Sequence, residues 1–240
     1  MKIEETEHTE LKIVPSKQNI DNSLGVPVPF LDKPSVYLVS GGMGSGKSSF
    51  IQSIMTASGK NRVFFQKFDA VFYTTPEEVF SSEESHPFKD HNKSRLFHDL
   101  SQATFDKIIE ECSQIKKEGG NNCLILDDFS ELLKTKAVEL RLKQLIFKHR
   151  HLKLNIIISV LTQKSLGKAL RSVLDIIVLF KPKSVLEMEG FNEEVFGLSK
   201  QEAKQLFSYI FDKPYQFLFY NARSHIFYKN FNRLIIKEEE

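Results

Sequence analysis

Apolar positions along this chain follow two rhythms, and their alternation predicts an α/β fold. Predominantly apolar runs at residues 36–39, 68–74, 123–126, 154–162 and 174–180 read as strands buried on both faces of a parallel sheet. Between them the spacing lengthens to that of a helix. Phe50, Ile51, Ile54 and Met55 share one face after the first run, and Phe105, Ile108, Ile109, Cys112 and Ile115 share one before the third. Ser101 stands where a helix cap belongs, and Gly119-Gly120 where a stop belongs. A longer helix is expected over 133–150, with Val138, Leu142, Leu145 and Ile146 inward. Leu140 and Phe147 fall on its far side, which a lone copy would leave wet.

Toward the C-terminus, Ser199 and Glu202 form a capping box ahead of Ala203, Leu206, Phe207, Ile210 and Phe211. Residues 215–220 and 225–229 then read as a β-hairpin turning at 221–224. Residues 1–30 are polar and end in Gly-Val-Pro-Val-Pro, so they are expected as a flexible arm before a domain at 31–235, with 236–240 a charged tail. The stretch 77–92, rich in Ser, Glu, His and Lys, is expected as a surface loop with a short helix.

Chemistry enters at the junction of the first run and the first helix. Residues 40–49 read S-G-G-M-G-S-G-K-S-S, and Gly41, Gly46, Lys47 and Ser48 satisfy the phosphate-binding G-x-x-x-x-G-K-[ST] pattern. A chance match in a chain of this size is on the order of 1%. Gly41, Gly42, Met43, Gly44, Ser45, Gly46, Lys47, Ser48 and Ser49 are therefore the candidate nucleotide cradle. Their backbone N–H groups and the following helix N-terminus present positive potential to an anion. Lys47 is expected on the β- and γ-phosphates of ATP, and the Ser48 hydroxyl on Mg²⁺.

The run at 123–126 delivers Asp127 and Asp128 at its C-terminal end, where ligands of parallel sheets bind. Asp127 is placed to hold Mg²⁺ and Asp128 to orient or deprotonate an attacking water. An extra strand after the carboxylates, tipped by Gln163, marks the ATP-hydrolysing motor class rather than nucleotide kinases, and Gln163 is placed to contact the γ-phosphate or its water. Arg150 precedes the 154–162 strand, on the edge opposite its own phosphate loop. It reads either as a cation at a helix C-terminus or as an arginine supplied in trans to a neighbour.

Composition narrows this picture without redirecting it. With 240 residues, 41% hydrophobic and 27% charged, the chain is long enough for one globular α/β domain. A net charge of only +2 means that any nucleic acid would be held by local basic patches. Candidates are the Lys and Arg residues at 134, 136, 141 and 143 and at 164, 168 and 171. The two cysteines, Cys112 and Cys123, form no CxxC or Cys/His cluster, which fits a reducing, intracellular setting. No apolar run reaches the ~18 residues of a membrane span, and the N-terminus lacks a signal core.

Taken together, G-G-M-G-S-G-K-S-S, L-I-L-D-D, the Arg150-His151 pair before a strand, the strand ending in Gln163, and Tyr228-Lys229-Asn230-Phe231 resemble the FtsK–HerA superfamily of DNA-pumping ATPases. The likeness is to the viral genome-packaging branch found in poxviruses, other large DNA viruses and virophages. It spans roughly residues 35–231 and implies a RecA/FtsK-like P-loop NTPase with a mainly parallel central sheet flanked by helices. It further implies a homo-oligomeric ring, pentameric or hexameric, that drives double-stranded DNA into a preformed capsid, gripping the DNA backbone nonspecifically and working with capsid components. The expected setting is the host cytoplasm and the virion. In that family the arginine at the position of Arg150 acts in trans. One departure is Asp127-Asp128, where cellular pumps typically carry Asp-Glu. Two other functions fit a phosphate loop: a P-loop nucleoside or nucleotide kinase, and a nucleotide-gated virion assembly protein.

Overall fold

The structure, a computed structural model, describes residues 23–82 and 86–236. Strands β1 (Val36–Ser40), β2 (Ala70–Thr74), β3 (Leu96–Phe97), β4 (Asn122–Leu126), β5 (Leu154–Val160), β6 (Ile176–Phe180), β7 (Phe217–Asn221), β8 (Ile226–Lys229) and β9 (Asn232–Arg233) make one sheet. Its order is β3-β2-β4-β5-β1-β6-β7-β8-β9. All pairings from β3 through β6 are parallel, and those from β6 through β9 are antiparallel. The expected hairpin is therefore present as β7–β8, extended by β9.

Helices α1 (Lys47–Thr56), α2 (Glu77–Ser82), α3 (Gln102–Lys117), α4 (Lys136–Lys148), α5 (Lys168–Arg171), α6 (Val185–Phe191) and α7 (Lys200–Ile210) fill the connections. The period-two rule of a strand assigns the two faces. Val36 and Leu38 of β1 join Leu124, Leu126, Ile156 and Ile158 in a core covered by α3, α4 and α7. Tyr37 and Val39 turn the other way, joining Cys123, Ile125 and Ile157 under α1.

Local chemistry explains where the helices begin. The Ser101 hydroxyl accepts from the Thr104 N–H, and Ser199 and Glu202 close the reciprocal box ahead of α7. The expected helix over 133–150 is instead broken. Thr135 is extended (ψ 134°), so a single tight turn at Leu132–Lys134 precedes α4 and another at Arg150–Leu152 follows it. Leu142, Leu145 and Ile146 are buried, while Leu140 and Phe147 remain 56% and 60% exposed.

Two further expectations change. Of the arm expected at 1–30, residues 1–22 lie outside the described residues, but Leu24 and Phe30 are buried. Phe30 packs edge-on against Phe64 and Phe219. The 77–92 stretch does contain a short helix, and most of its described residues are exposed as a surface loop's would be, but His86 and Phe88 turn inward and are buried. Of the tail at 236–240, all but Ile236 is outside the described residues.

Candidate nucleotide-binding site

β1 ends at Ser40, and the loop after it turns back through Gly44 (φ 70°) and Gly46 (φ 105°) to start α1 at Lys47. Those positive φ values are why glycine is needed there. A side chain at Gly41 is excluded for another reason: its Cβ would lie 2.7 Å from the Phe180 Cβ and the Ser45 Oγ. α1 begins without a side-chain cap, leaving its first N–H groups for an anion. Met43 is 81% exposed at the loop tip, so its contribution is its backbone.

The Lys47 ammonium is largely buried and donates to the Gly42 carbonyl at 3.1 Å. Burial holds its pKa below the ordinary lysine value, against the pull of Asp127 and Asp128, and Lys183 adds to the lowering. A phosphate would restore the partner that this charge lacks.

β5 lies between β1 and β4, pairing with both. The expected extra strand thus sits directly between the phosphate-loop strand and the carboxylate strand. Both carboxylates emerge at the same edge as the loop, and both act electrostatically on Lys47. Asp127 is buried, its N–H donates to the Thr74 carbonyl, and its Oδ2 accepts from the Tyr73 hydroxyl at 3.2 Å. Its Oδ1 is buried with no hydrogen-bond partner. Water donors of a hydrated magnesium ion would satisfy that oxygen, and the neighbouring Ser48 belongs to the same loop, so the residues present fit the metal. Asp128 keeps access to solvent, in a left-handed conformation (φ 61°), and the partial desolvation of its carboxyl, followed by its Asp127 neighbour, raises its pKa.

Gln163 lies just beyond β5, in a tight turn, and is only 2% exposed. Its amide nitrogen faces Gly190 of α6, where a Cβ would come within 2.5 Å of it, and its carbonyl oxygen has no partner. Arg150 is not brought to this site. It is exposed in the turn before β5, beside His149, His151 and Asp175 at the opposite edge of the sheet.

No motif or periodicity singled out Lys183, in the β6–α6 connection. Its side chain lies over Gly42, where a Cβ would sit 2.6 Å from its Cε. A cleft of about 1060 Å³ also opens beside the loop, walled by Pro29, Arg62, Tyr215 and Phe231. Its mixture of rings and cations, with Lys47 and Lys60 beside Arg62, suits a nucleotide. Only folding brings those distant segments together.

A family model described as NACHT domain matches residues 35–214. No curated protein sequence matches the chain. Among solved structures, B204, the DNA-packaging ATPase from Sulfolobus turreted icosahedral virus, superposes with a TM-score of 0.62 at 18% identity, covering 83% of this chain and 98% of that one. B204 from Sulfolobus turreted icosahedral virus 2 in complex with ATPγS gives 0.58 at 18% identity, over 84% and 98% of the two chains. ATPases 2 and 3 of EssC from Geobacillus thermodenitrificans give 0.54 at 12% identity, over 86% of this chain and 41% of that one. The resemblance to packaging ATPases drawn from the sequence is thus matched at the level of the fold. With its phosphate loop, paired carboxylates and intervening strand, the chain is a P-loop NTPase that belongs to the NACHT-domain family.

Proposed function

We propose that this protein is an ATPase that drives double-stranded DNA into a viral capsid as a ring of identical subunits. The observation that carries the reading is the placement of β5 between β1 and β4, with Asp127 and Asp128 beside the phosphate loop. The packaging role of B204, whose fold this chain shares, supports it.

In the cycle, the Lys47 ammonium leaves the Gly42 carbonyl for the β- and γ-phosphates, while N–H groups of residues 44–49 hold the phosphate oxygens. Ser48 and Asp127 would hold magnesium, which neutralises charge on the transferred phosphoryl group. Asp128 accepts a proton from the attacking water or orients it, and Gln163 senses the γ-phosphate edge. Arg150 serves the nucleotide of the adjacent subunit.

The basic candidates for DNA sort by their partners. Arg171 is engaged by both oxygens of Glu194, at 2.6 and 2.9 Å, and Lys134 pairs with Glu131 at 2.6 Å. Lys136, Lys164 and Lys168 are exposed and are the better candidates for phosphate contacts. Among the described residues no helix is long and apolar enough to cross a membrane.

The test is ATP turnover with and without duplex DNA across a salt series. DNA should stimulate turnover, and the stimulation should fall steeply with salt, because each counterion released from the DNA phosphates gains less entropy in a more concentrated bath. Turnover indifferent to DNA at low salt would refute the translocase. Phosphoryl transfer to a nucleoside acceptor instead of release of free phosphate would favour the kinase.

A further inference from the structure

Asp127 is the end of a buried hydrogen-bonded relay. The Phe88 N–H donates to His86 Nδ1 at 3.1 Å, which makes that nitrogen an acceptor and leaves the ring hydrogen on Nε2. His86 Nε2 lies 3.1 Å from the Tyr73 hydroxyl oxygen and donates to it. Tyr73 then spends its only proton on Asp127 Oδ2. Each link donates toward the carboxylate, so the three bonds reinforce one another. Tyr73, His86 and Asp127 are 1%, 6% and 3% exposed, and water cannot substitute for a lost member at little cost.

The rings are held in place from outside the relay. Tyr73 stacks on Phe88 with ring centres 4.4 Å apart and planes 17° from parallel, and Phe80 packs on His86 at 4.8 Å. Two more histidines, one before β3 and one just after it, tie the chain back to β2 and the residue that follows it. His91 donates to the Val71 carbonyl at 2.6 Å and His98 to the Thr75 carbonyl at 2.9 Å.

We infer that Tyr73 and His86 are positioning residues for magnesium-dependent nucleotide binding. By occupying Oδ2 of Asp127 they fix the carboxylate so that Oδ1, left without a partner, is the oxygen presented to the metal's water shell. Outer-shell donors of this kind commonly set the orientation and basicity of a metal-holding group. The inference rests on the nucleotide-site reading above, and it needs neither DNA nor a ring.

The experiment follows binding of the fluorescent analogue mant-AMPPNP to the full chain as MgCl₂ is raised. Tyr73→Phe keeps the stacked ring and removes the donor. It should raise the magnesium concentration for half-maximal binding about tenfold, the low end for loss of an outer-shell partner, while affinity without magnesium stays at the wild-type level. His86→Ala should shift it in the same direction, His86→Gln should restore part of the shift through its amide N–H, and the double variant should be no worse than Tyr73→Phe alone. A wild-type magnesium response in Tyr73→Phe would overturn the relay, and so would an equal loss of magnesium-free affinity. Should Tyr73→Phe fail to fold, as judged by circular dichroism, the His86→Ala and His86→Gln pair decides by the same criteria. A wild-type chain that binds the analogue without any response to magnesium would overturn the nucleotide-site reading itself.

Discussion

Arg150 offers the sharpest test of whether one subunit completes another's site. β5 runs from Leu154 to Val160 beside β1, and at ~3.3 Å per residue that is about 20 Å. Arg150 precedes that strand and the phosphate loop follows the far end of β1, so no rotamer of Arg150 spans the gap. If it is catalytic, it acts on a neighbour. Arg150→Ala should then bind ATP as the wild type does, because its own loop is intact. Turnover should fall about 10³-fold, the low end for loss of an arginine finger, or about 4 kcal/mol of transition-state stabilisation. Lys47→Ala should fail differently, by losing its own phosphate grip.

Mixing the two variants therefore regenerates competent interfaces wherever an intact loop meets an intact arginine. In a randomly assembled head-to-tail ring mixed one to one, that is about one interface in four. Phosphate release measured against mixing ratio should pass through a maximum near equal amounts. A flat, inactive profile in rings that contain both variants, confirmed by differential tagging, would refute the trans role. Arg150 would then be a solvated cation at a helix end.

Other residues give narrower tests. Asp128→Asn keeps a residue type that tolerates φ 61°, so it should fold and bind ATP while hydrolysis falls by about 10²- to 10⁴-fold; normal turnover would remove Asp128 from the chemistry. Lys183→Ala removes the second cation beside Lys47 and should weaken ATPγS binding more than AMP binding, measured by calorimetry, with equal losses refuting a phosphate contact. The Asp99 carboxylate accepts from the Ser101 N–H and the Thr104 hydroxyl, each at 2.7 Å, and hydrogen bonding from the Ser101 side chain, then the Thr104 hydroxyl and the Ser101 N–H, holds its pKa below the usual range. A folded-state value below the unfolded one contributes stability above the unfolded pKa, and that contribution is lost as pH falls through the folded one. The melting temperature of Asp99→Asn should thus lie below wild type at neutral pH and converge with it under acid; a constant gap would refute the assignment.

What the sequence made legible was whatever depends on neighbours in the chain. The turn at Gly44 and Gly46, the apolar run ending in Asp127, and the caps at Ser101 and Ser199 are local devices, and each formed where expected. β3 and β9 are two residues each, too short to leave a period. The break at Thr135 interrupts a pattern whose apolar spacing continues across it. The Tyr73–His86 contact joins residues 13 apart, with His86 in a polar stretch that gives no hint of burial. Lys183 reaches the phosphate loop only because β6 pairs beside β1. The sheet order, not the motif, recruited these side chains.

The position of β1 also has a kinetic consequence during synthesis. Its Val36 pairs with Ile156, and its Tyr37 with Ile176, so the first strand made acquires neither neighbour until well over a hundred further residues exist. At ~5–20 residues per second the wait for β5 is roughly 6–24 s. Throughout it, Val36-Tyr37-Leu38-Val39 presents two open edges and no partner, the condition that invites misassociation. The strand that carries the phosphate loop thus waits longer for a neighbour than β2 or β4 does, and the parallel part of the sheet is completed last at β1, where β5 and β6 join it.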